Sequence, residues 1–179
     1  MPGDATMTTE FLIAAALFVI CIALRSGYEL LKEAHKIDPE SKPVFALILT
    51  VMCVLWASWF SLPPQDSYRA DFPDSVRWIG LAIFIFGMIV AVGALIQLRG
   101  VENIDHLVTT GLFRKFRHPM YMGFIAWIVG WSVYHSAPLS LAIGTIGIAN
   151  ILWWRHLEEV RLEVQHGTAY HQYRASTWC

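Results

Sequence analysis

Charge is scarce in this chain of 179 residues: 15% of positions are Asp, Glu, Lys or Arg, where a soluble domain carries about 25%. The formal net charge is −1, so no field exists to attract nucleic acid or any other partner by overall charge. Disorder is excluded for the opposite reason, because 56% of the residues are hydrophobic and a disordered chain lacks that apolar content. Cysteine is nearly absent. Cys21 and Cys53 sit inside apolar runs and Cys179 is the last residue, a spacing that makes neither a metal site nor a disulfide framework and reads as small buried hydrophobes. The opening MPGDATMTTE has no basic n-region, so the first apolar segment is expected to stay in the mature protein. Internal repeats and low-complexity segments are also missing.

What the chain has is long apolar runs. A membrane-crossing helix needs about 20 mostly apolar residues, and five candidates are present: 11–24 (FLIAAALFVICIAL, extendable at both ends), 43–62, 78–98, 120–136 and 138–154. The fourth and fifth are so close that they must form an antiparallel helical hairpin. The expected fold is therefore an all-α integral membrane protein, a five-span helix bundle forming a single membrane domain over 1–179. Eleven of the thirteen Lys and Arg fall in 25–42, 99–119 and 155–179, leaving Arg69 and Arg77 on the other face. The positive-inside rule then puts the N-terminus outside and the C-terminus in the cytoplasm. Gly144 and Gly147 on the fifth span, and Gly123, Ala126 and Gly130 on the fourth, read as close-packing positions. Trp153 and Trp154 fall where an interfacial aromatic belt is expected, and His135, in the outer turn, is expected at an interface rather than in a site.

Polar chemistry gathers in two cytoplasmic segments that flank the hairpin. In LVTTGLFRKFRHPMYMGF (107–124), Thr109, Thr110 and Gly111 look like a turn, three cations follow (Arg114, Lys115, Arg117), and His118-Pro119 opens a helix. Free N–H groups at a helix start favour an anionic group. In RHLEEVRLEVQHGTAYHQYR (155–174), the fifth helix continues with Arg155 and Glu159 as an i, i+4 pair. Gly167 stops it, and a short helix then sets Tyr170 and Tyr173 on one face. Simple juxtamembrane charge and a solvated helix end explain each segment alone. Together they offer an anion site, a carboxylate pair and aromatic surface, a set that suits a zwitterionic ligand carrying a flat base.

The ordered set LVTTG, RHPMYMGF, a helical hairpin, Glu158-Glu159 and HGTAYHQY resembles the isoprenylcysteine carboxyl methyltransferase family, which in turn is similar to the phospholipid N-methyltransferases. The likeness covers roughly residues 100–174. It implies a multi-span bundle that binds S-adenosylmethionine at its cytosolic face without a Rossmann domain, and releases S-adenosylhomocysteine. It assigns His106, Leu107, Val108, Phe113, His118, Pro119, Met120 and Tyr121 to the cofactor, with Glu158 at its polar end. It makes Glu158, Glu159 and Arg155 the catalytic set, with Arg155 toward the acceptor. Phe113 stands where a tyrosine is common, Asp105-His106 replaces a His-x pair, and the tail ends at ASTWC rather than in an Arg-rich stretch.

The implied partners are membrane lipids and a lipidic or isoprenylated acceptor, with no nucleic acid and no metal. A carboxylate acceptor needs no general base at neutral pH, whereas an amine must shed a proton; the residues lean toward a carboxylate (or a thiol). Three alternatives differ in class. A lipid N-methyltransferase shares the donor. An NADPH-dependent sterol-reductase-type membrane enzyme resembles the C-terminal region, but with a GxxW pattern where this chain has GTAY. A non-catalytic membrane module would tolerate loss of Glu158 or His118.

Overall fold

The computed structural model describes residues 7–38, 41–98 and 107–178. They form α1 (Thr9–Glu33), α2 (Lys42–Gln65), α3 (Asp74–Leu98), a 3-10 turn (Gly111–Arg114), α4 (Pro119–Tyr134), α5 (Pro138–His166) and α6 (Thr168–Ser176). No strand occurs among the described residues, only an isolated parallel bridge between Phe116 and Trp178. The helix starts follow local chemistry. The Thr8 hydroxyl accepts from the Phe11 N–H at 3.2 Å, and proline sits in the first turn of α2, α4 and α5, where its missing N–H is not needed.

α3 lies along α4 and α1 along α2, while α5 touches α4, α1 and α2 and so joins the two pairs. The α3–α4 contact is as close as backbone allows. A Cβ on Gly130 would stand 2.5 Å from the Phe84 nitrogen, and one on Gly123 would stand 2.7 Å from the Ala91 nitrogen. The small residues read from the sequence are thus packing positions, and those of α4 serve α3. Gly144 and Gly147 of α5 make room for Trp59 and Phe18. An aromatic cluster fills the centre: Trp56 meets Phe124 at 4.8 Å and Trp127 at 4.9 Å between ring centroids. The Trp131 indole donates to the Phe60 carbonyl at 3.0 Å.

Three helices, α1, α2 and α3, are long and apolar enough to cross a membrane. α4 has 16 residues, about 24 Å of rise, and the 29 residues of α5 carry charge from Arg155 onward. α5 runs through the expected span into the polar tail as one helix, with residues 135–137 closing the antiparallel hairpin. Two expectations need correction. Cys53 is exposed, because the first half of α2 presents most of its surface outward. Trp154 is buried rather than part of a belt, because it packs into the hydrophobic core cluster, with the Arg25 guanidinium 5.3 Å over its ring.

At the hairpin end, Asp66 is buried and acts as a remote cap for α5. Its Oδ2 accepts from the Ser140 N–H at 2.7 Å and the Ser140 hydroxyl at 2.9 Å, and its Oδ1 accepts from the Tyr68 N–H at 2.9 Å. The first turn of α5 is thereby tied to the end of α2, which sets the depth at which the opposite end of α5 presents Glu158 and Glu159.

Candidate active site

The polar cluster forms where the start of α4 meets the middle of α5. Gly111, at φ +60°, lets the chain turn into the 3-10 segment, and the Gln97 side chain accepts from the Leu112 N–H at 3.1 Å. The TTG turn expected from the sequence is present. Phe113 is buried beneath it, while Arg114 and Lys115 face solvent. Arg117 and His118 turn inward.

His118 is buried, with a carboxylate opposite each ring nitrogen. Its Nε2 lies 3.1 Å from Glu159 Oε1 and its Nδ1 lies 3.7 Å from Glu158 Oε2. An ionised carboxylate only accepts, so Nε2 carries the proton and donates to Glu159. The Tyr121 ring stacks on the imidazole with centroids 5.7 Å apart, and its hydroxyl lies toward the Glu158 carboxylate. Arg117 Nε stands 3.4 Å from Glu159 Oε1, an ion pair whose geometry does not make a hydrogen bond. Burial by itself would raise the Glu159 carboxyl, but His118, Arg117 and Arg155 outweigh it and hold the group below its usual range.

The expected Arg155–Glu159 pair does not form. Glu159 is turned toward α4, where two partners await it, and Arg155 makes no ion pair among the described residues; its buried Nε has no hydrogen-bond partner. Pro119 is buried and Met120 packs against the core. Leu107 and Val108 are half-buried in an irregular segment, and no hydrogen bond or ring contact ties them to the cluster. His106 lies outside the described residues.

The tail closes over this arrangement. Gly167, at φ +49°, ends α5 and donates its N–H to the Glu163 carbonyl at 2.9 Å, as the sequence leads one to expect. α6 then places Tyr170 and Tyr173 inward, both buried. The Tyr173 hydroxyl donates to the Phe113 carbonyl at 2.7 Å. Burial, aided by neighbouring Tyr170, pushes that hydroxyl up to about 12, so it remains a donor. Arg117 Nη1 donates to the Arg174 carbonyl at 3.0 Å and the Thr177 carbonyl at 3.3 Å. The Trp178 backbone pairs with Lys115 and Arg117 at 2.8 and 3.1 Å.

A second polar network escaped sequence reasoning. Glu29 of α1 is buried and accepts from Arg25 of its own helix and from Arg161 of α5 at 3.0 Å. Burial works against the charged guanidinium of Arg161, yet Glu29, Glu33 and Glu158 raise it, so the bridge persists. It bolts the charged half of α5 to α1, one turn beyond Glu158. The only sequence signal was an Arg–Glu i, i+4 pair at the end of an apolar run.

Buried polar atoms without hydrogen-bond partners collect around the carboxylates: Arg155 Nε, Arg117 Nε and the Tyr170 hydroxyl. Buried polar groups in folded proteins are nearly always paired. Orphan donors beside an acidic pair, an inward aromatic face and a helix start are the equipment for holding a polar, charged, partly aromatic small molecule.

A phospholipid methyltransferase family profile matches residues 76–169, the part of the chain that contains this cluster. A protein-S-isoprenylcysteine O-methyltransferase of Dictyostelium discoideum is 26% identical over 151 residues, 76% of this chain and 60% of that protein. A probable protein-S-isoprenylcysteine O-methyltransferase of Oryza sativa subsp. indica is 31% identical over 153 residues, 78% of each. A protein-S-isoprenylcysteine O-methyltransferase of Xenopus laevis is 30% identical over 129 residues, 64% of this chain and 42% of that protein. The alignments thus span less than two thirds of the Dictyostelium and Xenopus relatives. No solved structure matches the chain.

Proposed function

The chain belongs to the phospholipid methyltransferase family, and on that premise we propose that it is an integral-membrane enzyme transferring a methyl group from S-adenosylmethionine to the carboxylate of an isoprenylated or otherwise lipidic acceptor. The observation that carries this reading is the cluster at the α4–α5 junction. Its residues fit the donor: Tyr121 and the α6 tyrosines offer aromatic surface for a flat base, Glu158 and Glu159 face a positive group, and Arg155 and Tyr170 hold unpaired donors. S-adenosylmethionine, when bound, supplies an electrophilic methyl group on a sulfonium.

The protein's part is to position and to exclude water, which can supply much of the rate of a displacement. Glu159 fixes the His118 ring; His118, Tyr121 and Glu158 would hold the donor, Glu158 toward its polar end. The family likeness adds Leu107, Val108, Phe113, Pro119 and Met120, and His106 before them in the sequence, to the residues that would contact the donor. Arg155 steadies the acceptor carboxylate. α6, latched through Tyr173 and Arg117, covers the site from the aqueous side. In this reading α4 and α5 add two crossings to the three long apolar helices. The cation-rich ends, and with them the site and the C-terminus, face the cytoplasm, and the N-terminus lies outside. Residues 100–174 form the catalytic region of one membrane domain.

The family description favours one second reading, an amine acceptor on a phospholipid headgroup, for which the half-exposed Glu158 is the base candidate. The relatives described above are all methyltransferases, so the NADPH-reductase alternative is set aside. The purified protein in vesicles, given methyl-labelled donor together with a farnesylated cysteine and phosphatidylethanolamine, decides the acceptor. Base-labile label on the cysteine compound supports the ester product. Label in the phospholipid alone selects the second reading, and label in neither rejects both.

A further inference from the structure

Arg69 and Arg77 are the only Lys or Arg between residues 43 and 98, and both are drawn to one place at the hairpin end of the bundle. Arg69 Nη1 donates to the Pro63 carbonyl at 3.0 Å and the His135 carbonyl at 2.6 Å, and Nη2 to the Pro64 carbonyl at 2.6 Å. Arg77 Nε donates to the Tyr134 carbonyl at 3.2 Å, with Asp74 3.1 Å from Nη1. The two guanidinium groups therefore sit at the carbonyl ends of α2 and α4. Arg69 forms no ion pair among the described residues and gives its three bonds to backbone carbonyls, and Asp71 lines the same cavity as it does.

Both arginines line a cavity of about 450 Å³ that also includes Asp71, His135 and Ser136, a size within the range of about 300–1,000 Å³ typical of small-molecule sites. His135 Nε2 is sealed from solvent and has no partner. The neighbouring surface is apolar: Trp78, directly after Arg77, is 64% exposed, and Ile79 and Phe86 follow it on α3 at 59% and 63%. A cationic mouth above an exposed aromatic and aliphatic stripe, on a helix long enough to cross a bilayer, is the layout of a headgroup site at the membrane boundary.

We propose that this cavity holds the phosphodiester of a phospholipid in the leaflet opposite the active site. Its anionic oxygens lie between Arg69 and Arg77, the His135 ring turns to offer them its otherwise unpartnered Nε2, and the acyl chains run along α3 past Trp78. The inference rests on α3 crossing the membrane and is independent of the methyl-transfer reading.

The test uses the full chain purified in neutral detergent. Thermal unfolding and native mass spectrometry are followed with dioleoyl phosphatidylglycerol, with dioleoylglycerol (the same chains without phosphate), and with inorganic phosphate. Phosphatidylglycerol should stabilise the protein and remain bound one per chain, dioleoylglycerol should not, and inorganic phosphate should neither stabilise equally nor displace the lipid. Arg77→Gln should weaken retention roughly tenfold, the scale of one charge-assisted hydrogen bond. His135→Phe, which keeps the ring against Trp131, should weaken it severalfold even if Arg77→Gln fails to fold. Equal stabilisation by dioleoylglycerol, or undiminished retention in His135→Phe, overturns the proposal. Equal stabilisation by inorganic phosphate makes the site one for a soluble anion and overturns the lipid assignment.

Discussion

Replacing Glu159 by Gln removes one charge from the centre of the site while keeping its shape. Glu159 Oε1 accepts from His118 Nε2 at 3.1 Å and faces Arg117 Nε at 3.4 Å, and the side chain is only 15% exposed. A hydrogen bond to a charged group contributes about 1.5–3 kcal/mol and a neutral one about 0.5–1.5. The amide can still accept from His118, so the expected loss is about 1–1.5 kcal/mol from that bond. A few tenths more come from the Arg117 contact, because Arg117 keeps its bonds to the tail carbonyls. The pH dependence has a definite sign. The folded Glu159 carboxyl lies below its usual value of 4.5, so its stabilisation is fully present above the unfolded value and is lost as pH falls through the folded one. Unfolding of wild type and variant in the same detergent, from about pH 5.5 down to about pH 3, measures it. Wild type should be the more stable at the upper end, and the gap should shrink as pH falls. A gap that persists undiminished in acid, or a variant more stable than wild type throughout, would refute the electrostatic reading of the cluster.

Three further substitutions probe how the site is held. Asp66→Ala removes the remote cap of α5 and strands the buried Ser140 donors, a loss of about 2–4 kcal/mol in unfolding free energy, whereas Ser140→Ala should lose about 1. Gly130→Ala pushes a methyl group to 2.5 Å from the Phe84 nitrogen and should destabilise by about 1–3 kcal/mol, seen as a lower melting temperature. Tyr173→Phe deletes the donor to the Phe113 carbonyl and should cost about 1 kcal/mol. Limited proteolysis should then cut the tail at Arg174 faster, with the transmembrane helices intact.

Much of the helical plan was legible because its signals are local. The apolar runs, the proline starts, Gly167 and the three-residue link between α4 and α5 each constrain the chain within a few residues of themselves, and the helices follow. α1 runs on to Glu33, as the extendable first run allowed; what no local pattern showed is that Glu29 stays inside because Arg161, far along the chain, meets it together with Arg25. Side-chain pairing was the harder part. From sequence, Glu159 belongs to Arg155, its neighbour on the helix. In the fold it belongs to His118 and Arg117, because an i, i+4 ion pair contributes only about 0.3–0.5 kcal/mol and a buried imidazole next door wins. Arg69 and Arg77 entered the sequence reading only as counters in an orientation rule. Arg69 reaches the end of α2 over 5 and 6 residues, but the bonds that bring both arginines to the end of α4 span 66 and 57 residues, which no local pattern carries. The same holds for Trp178, whose backbone returns to the cation-rich segment.

Calorimetric titration of the purified protein with S-adenosylhomocysteine, beside Glu158→Gln and His118→Ala proteins checked for an unchanged helical spectrum, tests the central claim most directly. The account predicts saturable one-to-one binding to wild type and at least roughly tenfold weaker binding to each variant, the loss of one charged contact. Absence of heat with wild type, or equal binding by all three, would contradict it.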